Sequence, residues 1–213
     1  MLSNYLENKL LDHVFRTNAY TQPTNVYLAL YAPSEGEWQA NTSYSSGDTI
    51  IPTSGNWNGR MYRCTNSGTS DGTTEPTWPT TYGGTVNDNG VVWEEMTLDF
   101  QADDTLPEVS TSSTGYERIE VVREDASFKG THGSASGASS GTGGNITNAS
   151  ALTFGTPIDD WGRISHWAWK DASTSGNMLW FGPLTTPKNV SNGDAEPEFG
   201  VDDLGMTLNV VPA

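Results

Sequence analysis

The sequence predicts an all-β protein: a β sandwich with an N-terminal helix and a small inserted three-stranded, aromatic-rich β module. Three observations carry this expectation. Turn-forming residues are abundant, with 23 Gly and 11 Pro in 213 residues, and such a composition favours many short strands over long helices. Short apolar runs with alternating or two-faced patterning recur along the chain. Half of the eight tryptophans, Trp38, Trp57, Trp78 and Trp93, fall within residues 37–96.

The helix comes first. Asn4 reads as its N-cap with Glu7 three residues on, a capping box, and Leu6, Leu10, Leu11 and Val14 follow at helical spacing. Glu7, Asn8, Asp12 and His13 fall largely on the other side, which makes His13 a solvated or capping histidine. The apolar side needs a surface to dock on. The run Val26 to Ala32 is apolar at both alternating sets of positions, as a central strand covered on both faces would be. Pro33 and Gly36 end it.

From Glu37 the composition changes for about sixty residues, rich in Trp, Tyr, Gly, Asn and Thr. Strands are expected at Thr49–Ile51, Arg60–Thr65 and Gly90–Glu95, bounded by Gly-Asp and Asn-Gly turns. After Thr97 the composition reverts to the pattern that precedes Glu37. Residues 1–36 and 97–213 therefore read as a main domain and 37–96 as a module set into it, one that a short link could replace because loop-closure cost varies slowly with length. Further strands are expected at Tyr116–Arg123, Ala151–Phe154, Arg163–Lys170, Asn177–Phe181 and Met206–Val210. In Arg163–Lys170, alternation places Trp167 and Trp169 on one face and Ile164, His166 and Ala168 on the other. The Gly/Ser/Ala/Thr stretch between Gly130 and Asn145 has almost no apolar residue and reads as a long flexible loop or a segment ordered only by a neighbour.

A formal charge of −16, with only ten Lys and Arg, repels polyanions and argues against a nucleic-acid partner. No run approaches the roughly 18 apolar residues of a membrane span, so membrane insertion is not expected, and nothing at the N-terminus marks the chain for secretion. It is expected to be made in a cytoplasm. One cysteine, Cys64, rules out an intrachain disulfide and reads as a buried thiol. Asp103-Asp104, Asp159-Asp160 and Asp202-Asp203 offer hard oxygen ligands, but no calcium-loop spacing surrounds them, so neither metal nor cofactor is expected.

Catalytic signals are weak. Gly137-Ala138-Ser139-Ser140-Gly141 has the nucleophile-elbow pattern, yet it sits in the Ser/Gly-rich loop without a following helix pattern. His13, His132 and His166 show no metal or triad spacing. A pair of carboxylates for sugar cleavage is the enzymatic alternative, since such a pair is defined only in three dimensions. The expectation is a non-enzyme.

Three blocks, Ser3–Val14, Val26–Tyr31 and Gly176–Lys188, with Val190–Asp194 and Leu204–Leu208 also in pattern, resemble a family of small phage virion proteins commonly labelled tail fibre proteins. The resemblance implies a structural protein on the virion surface that contacts other virion proteins. A homo-oligomer is expected because the two-sided apolar strand, the amphipathic helix and the Trp167/Trp169 face exceed what a loop-rich monomer covers, and the resemblance makes it a trimer. Capsid decoration is the alternative, and a glycan-cleaving virion enzyme the third. Within residues 37–96, Trp38–Asp48, Asn58–Cys64, Glu75–Pro79 and Val91–Trp93 resemble small chitin-binding-type carbohydrate modules. That likeness implies core roles for Trp38, Tyr44, Tyr62 and Trp93 and a host surface glycan as ligand. The run of exposed aromatics that grips chitin is missing. A pyranose ring presents axial C–H groups that pack on an aromatic face, and Trp57, Trp78 and Tyr82, in turn-rich stretches, are the expected stacking residues.

Overall fold

A computed structural model describes residues 1–103, 106–130 and 144–208. In chain order the elements are α1 (Asn4–Phe15), β1 (Asn25–Tyr31), β2 (Ser43–Tyr44), β3 (Thr49–Ile50), β4 (Tyr62–Asn66), β5 (Gly68–Thr69), β6 (Thr85–Asp88) and β7 (Val91–Glu95). There follow α2 (Thr97–Ala102), β8 (Ile119–Val122), β9 (Phe128–Lys129), β10 (Asn145–Asn148), β11 (Leu152–Thr153), β12 (Gly162–Lys170), β13 (Met178–Val190), β14 (Glu198–Phe199) and β15 (Met206–Thr207). The fold is all-β and sandwich-type, with α1 at its N-terminal side. The central sheet has the order β13-β12-β1-β8, entirely antiparallel. Smaller sheets are β15-β10-β9, β11-β14 and β2-β5, and residues 37–96 form a second four-stranded sheet, β3-β4-β7-β6.

Alternation along β1 explains the layering. Val26, Leu28 and Leu30 enter one core with Trp167, Trp169, Leu152, Phe154 and Leu179, beneath the small sheets. Ala29 and Tyr31 enter a second, with Phe100, Ala168, Met178 and Phe181. Ile51, Met61 and Met96 complete that second core, so residues 37–96 supply part of the lid over one face of the central sheet. Their own aromatic core is a third cluster.

Several local expectations are corrected. The N-cap of α1 is Ser3, one residue before Asn4, with its Oγ accepting from Leu6 N at 3.2 Å. Ser3 is fully buried, donates to Met178 O and bonds Leu179 O at 3.2 Å through its backbone N–H. Tertiary anchoring thus selects the cap. On α1, Tyr5 and Leu6 pack on the first core and the helix also lies against β13 and α2, while Leu11, Val14 and Phe15 are exposed. Ile164 joins the Trp167/Trp169 face because the β12–β13 register shifts between Ile164 and His166, and a bulge reverses the parity of the residues before it. The module sheet has a fourth strand, β6, whose polar sequence gives little strand signal but which pairs with β7 through Asn89 and Gly90, both at positive φ. The expected strand end at Val210, most of the Gly130–Asn145 loop and Asp104 lie outside the described residues.

Two partly buried ion pairs tie the layers together. Asp103, at the left-handed end of α2, accepts from Lys170 Nζ at 2.6 and 2.8 Å and from Met178 N at 2.6 Å. Glu108 and Arg118 form a two-pronged pair at 2.7 Å each, and Arg118 also donates to Ala172 O and Ser175 O.

Candidate functional site

The aromatic cluster of residues 37–96 is organised by two carboxylates. Asp88, at the end of β6 and buried, accepts Trp38 Nε1 at 2.7 Å, Trp93 Nε1 at 3.1 Å and Asp71 N at 2.9 Å. Indole N–H groups need an acceptor when they leave water, and one carboxylate serves two of them. Around it Tyr44 meets Trp93 edge-on at 4.8 Å and Tyr62 packs on Trp78 at 4.5 Å. The Tyr62 hydroxyl accepts from Asn58 and donates to Pro79 O, both at 2.8 Å, and burial pushes its pKa up to about 12. Trp38, Tyr44, Tyr62 and Trp93 are all core residues, the role that the likeness to carbohydrate modules implies for them, and Cys64 is buried beside them.

The second carboxylate, Glu75, accepts Thr53 N at 2.9 Å, Asn56 Nδ2 at 2.7 Å and Trp78 Nε1 at 2.7 Å. Burial alone would raise its pKa, but these donors outweigh that and hold it below the usual carboxylate range. Neither Asp88 nor Glu75 stands out in the sequence, because a polar acceptor for buried indoles has no fixed spacing from them.

The three expected stacking residues lie in three environments. Trp78 is 8% exposed and packed between Tyr62 and Trp93; its ring is a core ring, with no face left for a sugar, despite its turn-rich neighbourhood. Trp57 is half-buried, donates to Leu184 O at 3.1 Å and meets His166 edge-on at 5.8 Å, so it belongs to the seam between residues 37–96 and the central sheet. Tyr82 is 49% exposed, with the Arg60 guanidinium 5.4 Å from its ring centre. Arg60 is itself held by Glu95 at 3.0 Å and Thr97 at 3.1 Å.

His166 closes that seam. It is buried, stacked on Phe100 at 4.9 Å, and its Nε2 lies 3.1 Å from Gly59 O. A carbonyl only accepts, so Nε2 carries the proton and Nδ1 accepts from the Ser165 hydroxyl at 2.9 Å. Burial lowers its pKa to about 4. His13 is exposed, and its Nδ1 accepts from Tyr20 N at 3.2 Å. His132 and the Gly137–Gly141 pattern lie outside the described residues. Of the aspartate pairs, Asp202 bonds Lys129 and Thr147, and Asp160 accepts from Asn192 N at 2.9 Å. Among the described residues no three His, Cys, Asp or Glu side chains gather as a metal site, and no helix is long and apolar enough to cross a membrane.

A family model described as Podophage GP4 fiber I protein gp80 matches residues 1–100 and 95–207. The matched stretches take in residues 37–96 as well as both flanks. No curated protein matches the chain.

Proposed function

Since the chain belongs to the podophage GP4 fiber I protein gp80 family, we propose that it is a non-enzymatic structural component of a phage virion, part of a fibre at the particle surface. The family match over nearly the whole chain carries this reading. It also favours a fibre over capsid decoration and over a glycan-cleaving enzyme. The chain would be made in the host bacterial cytoplasm and reach the surface by assembly with other virion proteins. A net charge of −16 fits a soluble surface part and disfavours contact with the packaged genome.

The proposal extends to oligomerisation. Leu11, Val14 and Phe15 share one side of α1 and are 56%, 64% and 77% exposed, a stripe suited to another helix or another copy of the chain. A homotrimer is the preferred state, by likeness to other fibre proteins. It also extends to a host surface glycan as ligand of the 37–96 module, with 1–36 and 97–213 as the main domain. In that module Tyr82, with Arg60 over its ring, and the half-buried Trp57 are the candidates for sugar contact, Trp78 supporting them from the core.

Labelling the chain on intact particles and imaging them tests the central assignment. Label confined to the tail in a few copies is expected. Label spread over the head would replace the fibre reading with decoration.

A further inference from the structure

A cleft of about 490 Å³ opens on the side of the molecule away from the seam at His166, between the segment after α1, the β8–β9 turn and the β12–β13 edge. That volume is in the range of small-ligand sites, roughly 300–1,000 Å³. Three half-buried rings line it, Tyr20, Phe128 and Trp180, and buried Trp169, edge-on to Phe128 at 5.4 Å, supports them from below. This is the combination absent from residues 37–96: several aromatic faces, partly open, around one space.

We infer that this cleft binds the end of a neutral glycan, an inference that rests on the glycan-binding part of the proposed function and relocates its main contact. The chemistry follows from walls and rim. A pyranose has an apolar C–H face, which aromatic rings accept, and an edge of hydroxyls, which need donors and acceptors. Gln22, Arg123 and Glu124 line the rim and are exposed; together they supply an amide, a guanidinium and a carboxylate. Arg123 is steadied by donating to Pro23 O at 2.9 Å.

Charge selects a neutral ligand. Arg123 and Lys129 share the cleft with Glu124 and Asp125, and Lys129 is already paired with Asp202, so the lining has no excess of cations in a molecule whose net charge is −16. An anionic glycan meets repulsion from the whole and no compensating local excess of cations. A hydrocarbon chain would use the walls and leave the polar rim idle.

The test is calorimetric titration of the full chain with a panel of uncharged hexose and N-acetylhexosamine oligosaccharides. Tyr20→Ala, Trp180→Ala and Gln22→Ala probe the cleft, and Tyr82→Ala probes the module. Loss of affinity by about tenfold in the two ring variants, and a smaller loss in Gln22→Ala, with Tyr82→Ala unchanged, is the expected result. Gln22→Ala removes no packed ring and keeps the test valid if Trp180→Ala fails to fold. Loss confined to Tyr82→Ala overturns the cleft while leaving glycan binding in place. Absence of binding by the unmodified chain to every sugar overturns both.

Discussion

In residues 37–96 the rings of Trp38, Tyr44, Tyr62, Trp78 and Trp93 are buried against one another; the three indole N–H groups and the Tyr62 O–H each donate to a partner, and the Tyr44 hydroxyl oxygen accepts from Gln39 N at 3.0 Å. Helix α1, with regular apolar spacing over 12 residues, buries none of them. Both regions are amphipathic in sequence. The difference is that the module closes on itself and on the central sheet, whereas α1 meets β13 and α2, packs on the first core through Tyr5 and Leu6 and leaves Leu11, Val14 and Phe15 exposed. The exposed apolar stripe of α1 is what the proposed assembly contact rests on.

The largest way to break this comparison is to remove the module. Deleting residues 37–96 and joining Gly36 to Thr97 by a short Gly/Ser link takes away Ile51, Met61 and Met96 and uncovers Ala29, Tyr31, Phe100 and Phe181. Each large buried side chain lost costs about 2–5 kcal/mol, and the sum rivals the ~5–15 kcal/mol that holds a domain folded. The deletion is expected to lose cooperative unfolding in a thermal melt. A sharp melt would show that residues 37–96 are the separable unit the sequence suggests.

Next in size are changes inside the module. Trp93→Ala is expected to cost about 3–5 kcal/mol in denaturant titration. Asp88→Ala strands two indole N–H groups and the Asp71 N–H, at about 3 kcal/mol or more.

The pH response is of similar or smaller size and reports on the seam. His166 has a folded pKa of about 4 against 6.5 unfolded, so between these values the unfolded chain binds the extra proton. Stability is therefore unaffected by this group above pH ~6.5 and falls as pH drops towards 4, by about 3 kcal/mol in all. Denaturation midpoints measured from pH 7 to 4.5 should decline in the unmodified chain and flatten in His166→Gln.

Much of this was legible in the sequence. The two-sided apolar run of β1, the alternation of β12 and the ring-dense stretch 37–96 announce buried strands and an aromatic core, because burial demands those patterns whatever the topology. Other features arise only from distant partners. The bulge near Ser165 that moves Ile164 to the other face, the choice of Ser3 over Asn4 as cap, and the polar strand β6 are set by the strands they meet. Short α2, Thr97–Ala102, is too brief for periodicity to register. Ring exposure is the least legible property: Trp78 and Tyr82 sit in similar turn-rich sequence, yet one packs on Tyr62 and the other faces water. Tyr20, Phe128 and Trp180 converge from three separate segments, which no local pattern foretells.

The smallest effect on stability belongs to α1, and it tests most directly whether the open helix face is the assembly surface. Leu11→Asp with Phe15→Asp alters exposed positions, so the thermal midpoint should change by no more than about 0.5 kcal/mol equivalent. Light scattering at micromolar concentration should give the mass of a homo-oligomer, a trimer by preference, for the unmodified chain and of a monomer for the double variant. A monomer in both, or an oligomer that the substitutions leave intact, would contradict the assignment of α1 as the surface through which the chain assembles.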